Sequence, residues 1–408
     1  MTVRIGRTLP PAAAPIPLST VLRALPSCFR PENAEFLLEK EIKQKFGQPY
    51  CFLVSSGKAA LTLILKALHK LYPDRDEVLI PAFTCYSVPA AIKRAGLQVK
   101  LCDTGSHSLD FDKEQLKKLI QADKKEKKIL CVLVTHLFGC PADFTAIKQI
   151  VGEDIPLVED AAQAMGTEIN GRKIGSLGDV GFFSLGRGKA LSTIEGGVII
   201  SKRPDLGTEL NSLIKDLEIY TFSNKIKLVV KAIITTLLQH PVLFWFPKAL
   251  PFLRLGETLY EDDFPLRRLS PVQRGLAKNW PIRLKKHQKT RKNNIIFWEK
   301  HLPEILSFID SYRQSSNLIR LPVLARSKKE RDVLCSRSER HGLGVMATYP
   351  TPINEIPEIA GEFSGRKFPN AQKLADCLMT LPVHEYMTEK DRLKILHLCN
   401  RTAIPSRV

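Results

Sequence analysis

The sequence from residue 182 to residue 189 reads Phe182-Phe183-Ser184-Leu185-Gly186-Arg187-Gly188-Lys189. This pattern predicts an apolar strand that opens into a tight glycine-rich turn and ends on a lysine. A lysine after such a turn is ordinarily a surface residue. A lysine that acts as a nucleophile must instead be partly neutral, and burial beside a cation such as Arg187 would lower its pKa. Lys189 is therefore a candidate reactive amine.

An acidic pair ends another apolar strand upstream, in the stretch Val158-Glu159-Asp160-Ala161-Ala162-Gln163. A carboxylate at the end of a buried strand is costly unless it meets a cation or a hydrogen-bond donor. Asp160 could pair with the protonated pyridine nitrogen of a cofactor, or it could cap a helix that begins at Ala161. The residues alone leave both interpretations open.

A third strand leads into small residues, in the stretch Val54-Ser55-Ser56-Gly57-Lys58-Ala59-Ala60-Leu61. The backbone N–H groups of a helix that starts here could hold a phosphate, and Lys58 could add a full positive charge. Serine and glycine also cap helices for structural reasons alone. The turn is therefore a candidate phosphate site that needs support from other residues.

Apolar strand-like runs alternate with helical segments between residues 50 and 201. The runs are residues 50–54, 77–81, 99–102, 128–135 and 155–159, and the helices between them include 57–69, 88–95 and 111–120. Near-continuous apolar strands that alternate with helices predict a mostly parallel α/β sheet covered on both faces. Ligands bind such sheets at the carboxyl ends of the strands, which is where the three motifs lie.

Residues 222–256 differ from the rest because they are apolar on nearly every side and are broken by prolines in their second half. No stretch reaches the roughly 18 apolar residues expected of a spanning helix. Two interpretations stay open: a buried helical hairpin, and an interfacial hairpin that contacts a membrane. In the second, four lysines would face the headgroups: Lys225, Lys227, Lys231 and Lys248.

The chain from residue 266 onward predicts a smaller α+β unit. We expect a strand over 318–323, a helix over 327–340 and a second strand over 342–345, followed by terminal helices. The predicted organisation is an N-terminal arm (1–36), a large domain (37–265) that carries the apolar insertion, and a small C-terminal domain (266–408).

The chain is strongly basic, with 61 Lys and Arg against 42 Asp and Glu and a formal net charge of +19. Such a charge favours anionic partners. No zinc-finger spacing or RNA-binding signature is present, so we expect no nucleic-acid partner. The densest basic run, 283–292, is predicted to be the solvated face of a long helix.

The nine cysteines are scattered and include no CxxC pair. This usage argues against a disulfide framework and against a zinc site, and it suits a reducing cytosol. The N-terminus lacks the apolar core of a secretory signal. We therefore expect a cytoplasmic protein, with contact to the inner face of the membrane as the alternative that residues 222–256 suggest.

Taken together, these motifs resemble the DegT/StrS-type sugar aminotransferases, within the aspartate-aminotransferase-like fold of enzymes that use pyridoxal 5'-phosphate (PLP). The resemblance covers most of the chain. It includes residues 80–84, 135–143 and 175–179, and near the C-terminus residues 349–352 and 381–384.

The resemblance implies a role for each motif residue. Lys189 would form the Schiff base with PLP, Asp160 would pair with the pyridine nitrogen and Gln163 would contact the phenolic oxygen. Ser184 and the amides of Gly57 and Lys58 would hold the phosphate. Related dehydratases carry a histidine in place of this lysine, so Lys189 favours transamination.

Several positions depart from the family pattern. Cys85 stands where an aromatic residue commonly stacks on the cofactor ring, and the neighbouring Tyr86 is predicted to stack instead. Ile194 replaces a glycine before Glu195-Gly196-Gly197. Leu266 replaces the asparagine that reaches the phosphate of a neighbouring subunit, a contact for which Arg267 or Arg268 could substitute.

The sequence therefore predicts a PLP-dependent aminotransferase that moves an amino group, from glutamate by family analogy, to a keto-sugar. The keto-sugar would be nucleotide-activated and would serve amino-sugar or cell-surface polysaccharide biosynthesis. The resemblance also implies a homodimer. Two alternatives stay open: a non-catalytic PLP-fold regulator or scaffold, and an aminotransferase acting on a lipid-linked or non-sugar carbonyl acceptor at the membrane.

Overall fold

A computed structural model describes residues 4–29, 37–250, 258–315 and 317–400. It is an α/β fold built on two main sheets. The strands are β1 Tyr50–Val54, β2 Glu77–Pro81, β3 Gln98–Cys102, β4 Ile129–Thr135, β5 Leu157–Asp160, β6 Glu168–Ile169, β7 Arg172–Lys173, β8 Val180–Ser184, β9 Gly197–Ser201, β10 Leu306–Phe308, β11 Leu321–Ala325, β12 Met346–Ala347 and β13 Leu378–Leu381. The helices are α1 Leu18–Ala24, α2 Leu37–Phe46, α3 Gly57–Leu71, α4 Ser87–Arg94, α5 Lys113–Glu126, α6 Phe144–Val151, α7 Pro204–Lys215, α8 Phe222–Leu238, α9 Trp245–Lys248, α10 Pro271–Leu276, α11 Trp280–His301, α12 Lys328–His341, α13 Pro369–Cys377 and α14 Glu389–Asn400.

The large sheet has the strand order β1-β9-β8-β5-β4-β2-β3. Strands β3, β2, β4, β5 and β8 pair in parallel, whereas β9 pairs antiparallel with both β8 and β1. Apolar side chains fill both faces of this sheet, as expected for strands that read as continuous apolar runs. The predicted mixed, mostly parallel sheet covered by helices is confirmed.

A second, antiparallel sheet has the order β10-β11-β13-β12 and is flanked by α12 and α13. The predicted helix over 327–340 is confirmed as α12, which Ser327 caps through its side chain. The predicted domain boundaries stay a prediction. Residues 1–3 and 30–36 of the predicted N-terminal arm lie outside the described part of the chain.

Two strand predictions in this region were inaccurate. The first strand lies at Leu321–Ala325, three residues later at its start than predicted. The predicted strand over 342–345 is wrong, because Gly342 and Gly344 take positive φ angles of 64° and 74°. Gly342 ends α12 in the left-handed conformation that glycine adopts without a steric penalty.

The basic run 283–292 lies in α11, as predicted, but it is not simply a solvated face. Arg283, His287 and Arg291 are buried, whereas Lys285 and Lys289 are exposed. The guanidinium groups of Arg283 and Arg291 donate to the backbone carbonyls of residues 189, 190 and 192, so hydrogen bonds replace water around these buried charges.

The apolar segment 222–256 forms helix α8 and the short helix α9, and residues 251–256 lie outside the described part of the chain. α8 packs against α1 and α10 through Leu228, Val229 and Ala232. The predicted burial of this segment is therefore correct for one face of α8 and not for the other. Among the described residues, no helix combines the length and apolarity needed to cross a bilayer.

Candidate active site

The carboxyl ends of β5 and β8 bring the acidic motif and the lysine turn side by side. The two strands are parallel neighbours in which Asp160 is paired with Phe182. Lys189 follows β8 through a turn in which Gly188 has a φ of 71° and packs against the N-terminal arm at Ala12. Parallel strands end at one sheet edge, and that topology places both side chains in one site.

Burial sets the electrostatics of this pair. It raises the pKa of Asp160, although the Ala162 amide and the charge of Lys189 oppose the rise. It lowers the pKa of the half-buried Lys189, against the attraction of Cys85 and Asp160, and the cation Arg320 lowers it further. The amine therefore has a larger neutral fraction than an ordinary lysine, as a nucleophile requires.

The cation beside Lys189 is not the one expected from the sequence. Arg187 is exposed, whereas Arg320 lies just before β11 with its Nη1 atom 3.6 Å from the Met346 sulfur. Among the described residues, no carboxylate lies within ion-pair distance of the Arg320 guanidinium. Arg320 therefore supplies the site with a positive charge that no carboxylate of the described residues neutralises.

Asp160 accepts a hydrogen bond from the Ala162 amide at 3.0 Å. A turn follows it, so no helix begins at Ala161 and the helix-cap interpretation is wrong in that form. The carboxylate is 6% exposed. A buried carboxylate with one protein amide as donor suits a cationic ligand such as a protonated pyridine nitrogen.

Glu159, the residue before Asp160, is the centre of a buried hydrogen-bond network. This fully buried carboxylate accepts hydrogen bonds from the amides of Gly175 and Gly178 and from His136 Nε2 at 3.1 Å. His136 Nδ1 accepts the Ala142 amide, so the Nε2 atom carries the ring proton. This network fixes the loop behind the site, and the sequence motifs did not indicate it.

The candidate phosphate turn forms where α3 begins against the end of β8. Ser56 caps α3 and binds the amides of Ala59 and Ala60, which leaves the Gly57 and Lys58 amides for a ligand among the described contacts. A Cβ atom added at Gly57 would lie 2.9 Å from the Ser184 Cβ. We call the Gly57 and Lys58 amides and the Ser184 hydroxyl the phosphate cradle. Only glycine at position 57 leaves room for a ligand there.

The side chain of Lys58 turns away from this cradle. Its ammonium contacts Glu261 at 2.8 Å and lies 4.4 Å from the centre of the Phe264 ring. Lys58 can therefore serve the turn through its amide, while its charge is partly neutralised by the neighbouring segment.

Gln163 joins the two sheets. Its Oε1 accepts the Phe138 amide at 3.1 Å, and its Nε2 donates to the Tyr349 hydroxyl at 3.1 Å. Burial raises the pKa of Tyr349, and its interactions with Cys85 add to the rise. Tyr349 thus lies in the site, although the sequence analysis gave it no role beyond its place in the family-like segment 349–352.

The predicted stacking residue Tyr86 lies behind Tyr349, with ring centres 6.3 Å apart and an interplanar angle of 28°. Its hydroxyl is bound to Thr351, which anchors it to the loop after β12. Cys85 accepts a hydrogen bond from Ser87 and interacts with Tyr349. The aromatic wall of the site is therefore shared between Tyr86 and Tyr349.

The substitutes proposed for the trans-subunit contact are engaged within the chain. Arg268 donates to the carbonyls of Ile214 and Lys215 at the end of α7. Arg267 pairs with Glu218 at 3.3 Å. Their guanidinium groups thus stabilise the end of α7. Among the described residues, no group of three or more His, Cys, Asp or Glu side chains is placed to hold a metal ion.

Comparison with known proteins agrees with this geometry. Residues 26–216 and 282–399 match the model of the DegT/DnrJ/EryC1/StrS aminotransferase family. Helicobacter pylori PseC, an aminotransferase involved in the biosynthesis of pseudoaminic acid, superposes with a TM-score of 0.76 at 14% identity, covering 96% of this chain and 98% of that one. Streptococcus pneumoniae Spr1654, a sugar aminotransferase solved in its PLP form, superposes with a TM-score of 0.72 at 17% identity, covering 97% of this chain and 100% of that one.

Curated relatives align over less than half of their own length. GDP-4-keto-6-deoxy-D-mannose 3-dehydratase from Yersinia pseudotuberculosis is 35% identical over 173 residues, which are 41% of this chain and 43% of that protein. GDP-perosamine synthase from Vibrio cholerae is 32% identical over 174 residues, which are 42% and 43% of the two chains. The family match covers most of the sequence, and the chain belongs to the DegT/DnrJ/EryC1/StrS aminotransferase family.

Proposed function

We propose that this protein is a PLP-dependent aminotransferase. The observation that carries the proposal is the juxtaposition of Lys189 and Asp160 at the ends of two parallel strands, with burial lowering the pKa of the amine. A neutral amine and a buried carboxylate are the two groups that a pyridoxal cofactor requires at its opposite sides.

The residues of the site fit the cofactor group by group. Lys189 would bind its aldehyde carbon and Asp160 its pyridine nitrogen, while Gln163 would reach its phenolic oxygen. Its phosphate would lie at Ser184 and the free amides that begin α3. When bound, PLP supplies an electron sink for charge that develops on the Cα atom of an amino acid.

The protein's own groups would then handle the proton and the charge. With the cofactor bound, Lys189 Nζ would take the proton from the substrate Cα atom as a general base and would later donate it as a general acid. Asp160 keeps a counter-charge at the far side of the ring. The hydroxyl of Tyr349 holds Gln163, so the loop after β12 helps to position the cofactor-binding face.

Arg320 would receive an anionic group of the substrate. Its guanidinium lies near Lys189, and no described carboxylate neutralises it. A carboxylate of the amino donor, proposed to be glutamate, suits a guanidinium because the pair forms charge-assisted hydrogen bonds.

For the acceptor we propose a keto-sugar activated by a nucleotide, in amino-sugar or polysaccharide biosynthesis. The perosamine synthase of Vibrio cholerae supports this class, although another relative is a dehydratase. By the family resemblance Lys189 favours transamination, since the related dehydratases carry histidine there. The scaffold and the lipid-linked acceptor are not favoured by these relatives.

We also propose that the protein is a cytoplasmic homodimer, by analogy with the family. Tyr86 stays our proposed stacking residue, with Tyr349 behind it. Contact of residues 222–256 with a membrane is a separate proposal that rests on the insertion and not on the site.

A screen of nucleotide-linked keto-sugars with glutamate tests the proposed reaction. Mass spectrometry should detect a product in which an amino group replaces the carbonyl oxygen of one sugar, with one 2-oxoglutarate formed per product. Loss of a hydroxyl without gain of nitrogen would instead indicate a dehydratase and overturn the proposal.

A further inference from the structure

The segment between the two ranges that match the family model, residues 217–281, carries an exposed apolar ridge. Helix α8 has two apolar faces. One packs into the core against α1 and α10. The other presents side chains that are 40–55% exposed at helical spacing: Phe222, Ile226, Val230, Ile234 and Leu237. Residues three or four apart share one side of a helix, so these five form a continuous ridge.

Three further exposed apolar side chains follow α8 in the sequence. Val242, Leu243 and Phe246 are 42–55% exposed, and the Pro241 carbonyl accepts the amide of Thr8, which fixes this stretch to the N-terminal arm. We call these eight side chains the insertion ridge. Contiguous exposed apolar surface of this kind marks an interaction site more often than scattered single residues do.

The charge around the insertion ridge is positive. Residues 219–250 contain four lysines and no aspartate or glutamate. Lys227 is exposed on α8, whereas Lys231 and Lys248 pair with Glu195 and Glu339, and Lys225 is buried. The exposed Arg340 adds positive charge beside α9, because Lys248 bonds to its neighbour Glu339.

We propose that the insertion ridge docks onto an anionic lipid surface. An apolar ridge that is flanked by cations is the pattern of a helix lying in the interface of a membrane, with apolar side chains in the acyl boundary and basic ones at the headgroups. A second copy of the chain is the alternative occupant, and the light-scattering measurement below distinguishes it from a lipid surface.

The same helix touches the loop that carries Lys189. Lys231 forms an ion pair with Glu195, and Ile194 lies in the core cluster that α8 completes. Deleting the insertion would therefore disturb the site. Point substitutions on the exposed ridge are the cleaner test, since Val230 and Ile234 are 47% and 49% exposed.

Flotation of the full-length protein with vesicles tests the proposal. One vesicle set contains phosphatidylcholine alone, and the other contains phosphatidylcholine with about one third phosphatidylglycerol. We expect flotation with the anionic set, at least a fivefold loss in the double variant Val230→Glu and Ile234→Glu, and a smaller, salt-sensitive loss in Lys227→Glu. The matched control Ile282→Glu, at a 72% exposed site in α11, should float like the wild type.

Two outcomes would overturn the docking proposal. Absence of wild-type flotation with anionic vesicles at low salt would do so directly. Equal flotation of the double variant would show that the ridge is not the contact. The ridge is a self-association surface if the wild type does not bind vesicles and light scattering gives the double variant a smaller oligomeric mass than the wild type. Retained transaminase activity of the variants in solution keeps this test separate from that of the catalytic proposal.

Discussion

The guanidinium of Arg291 donates a hydrogen bond to the backbone carbonyl of Lys189 at 3.1 Å. It also donates to the carbonyls of Ala190 and of Ala13 in the N-terminal arm. The side chain is 1% exposed, and burial lowers its pKa to about 10. A single residue of α11 therefore holds both the reactive-lysine turn and the arm that covers it.

Arg291→Met should lower the free energy of unfolding by about 3 kcal/mol, because buried carbonyls lose charged donors and are left unpaired. The reactive turn should loosen as well, so PLP occupancy should fall. Denaturant unfolding and cofactor absorbance measure the two effects. Lys292→Met, at the exposed neighbour, is the matched control. Equal stability of the two variants would show that the Arg291 hydrogen bonds do not stabilise the fold.

Arg320→Met should raise the pKa of Lys189, because the substitution removes a cation that lowers it. The acidic limb of the kcat profile should therefore move to higher pH, because the Lys189 amine is free of the cofactor in the enzyme–substrate complex that kcat reports. The KM for glutamate should also rise about tenfold or more if a charge-assisted carboxylate contact is lost. Arg320→Lys keeps the charge and should preserve the pH profile. An unshifted acidic limb in the methionine variant would contradict the electrostatic role.

The buried His384 should make stability depend on pH. Burial lowers its pKa to about 4, while its Nε2 atom contacts the Pro10 carbonyl at 2.7 Å. The unfolded chain binds a proton on this ring near pH 6.5 and the folded chain does not, so stability falls as pH drops from about 6.5 toward 4. The loss from pH 7 to pH 5 is about 2 kcal/mol.

His384→Gln should remove that part of the pH dependence, because the amide can still donate to the Pro10 carbonyl but does not titrate. Urea unfolding at pH 7 and pH 5 provides the comparison. The same slope in both proteins would show that other groups cause the acid sensitivity.

Gly57→Ala should weaken PLP binding at least tenfold, about 1.4 kcal/mol. The new methyl group would lie 2.9 Å from the Ser184 Cβ, which closes the phosphate cradle. Equilibrium dialysis of PLP measures the effect. Gly361→Ala is the matched control, because a Cβ there meets no atom within 4 Å. Unchanged affinity in Gly57→Ala would place the phosphate elsewhere.

Regular patterns in the sequence were enough to predict the sheet and most helices. Buried strands such as β4 and capped helices such as α12 follow from local composition, because each local preference agrees with the fold. The strand expected at 342–345 failed because two glycines with positive φ interrupt an apolar run. Local periodicity does not reveal backbone angles of that kind.

The site was predictable where its residues follow strands, and it was missed where tertiary packing supplies them. Asp160 ends β5, and Lys189 follows the neighbouring β8 through a short glycine-containing turn, so the strand topology brings them together. Arg320 and Tyr349 come from the second sheet region, whose docking no short pattern encodes. Ile194 illustrates a further limit: it has a φ of 75°, which is strained for a β-branched residue, and its buried side chain offsets that cost.

The most direct test of the catalytic account is a single turnover of the PLP-loaded protein with glutamate. The wild type should form about one 2-oxoglutarate per site, and borohydride reduction before glutamate is added should fix PLP to the peptide that contains Lys189. Lys189→Ala should form no covalent adduct and should lose turnover by a factor on the order of 10⁴. Undiminished 2-oxoglutarate formation by Lys189→Ala would contradict the assignment of Lys189 and the mechanism built on it.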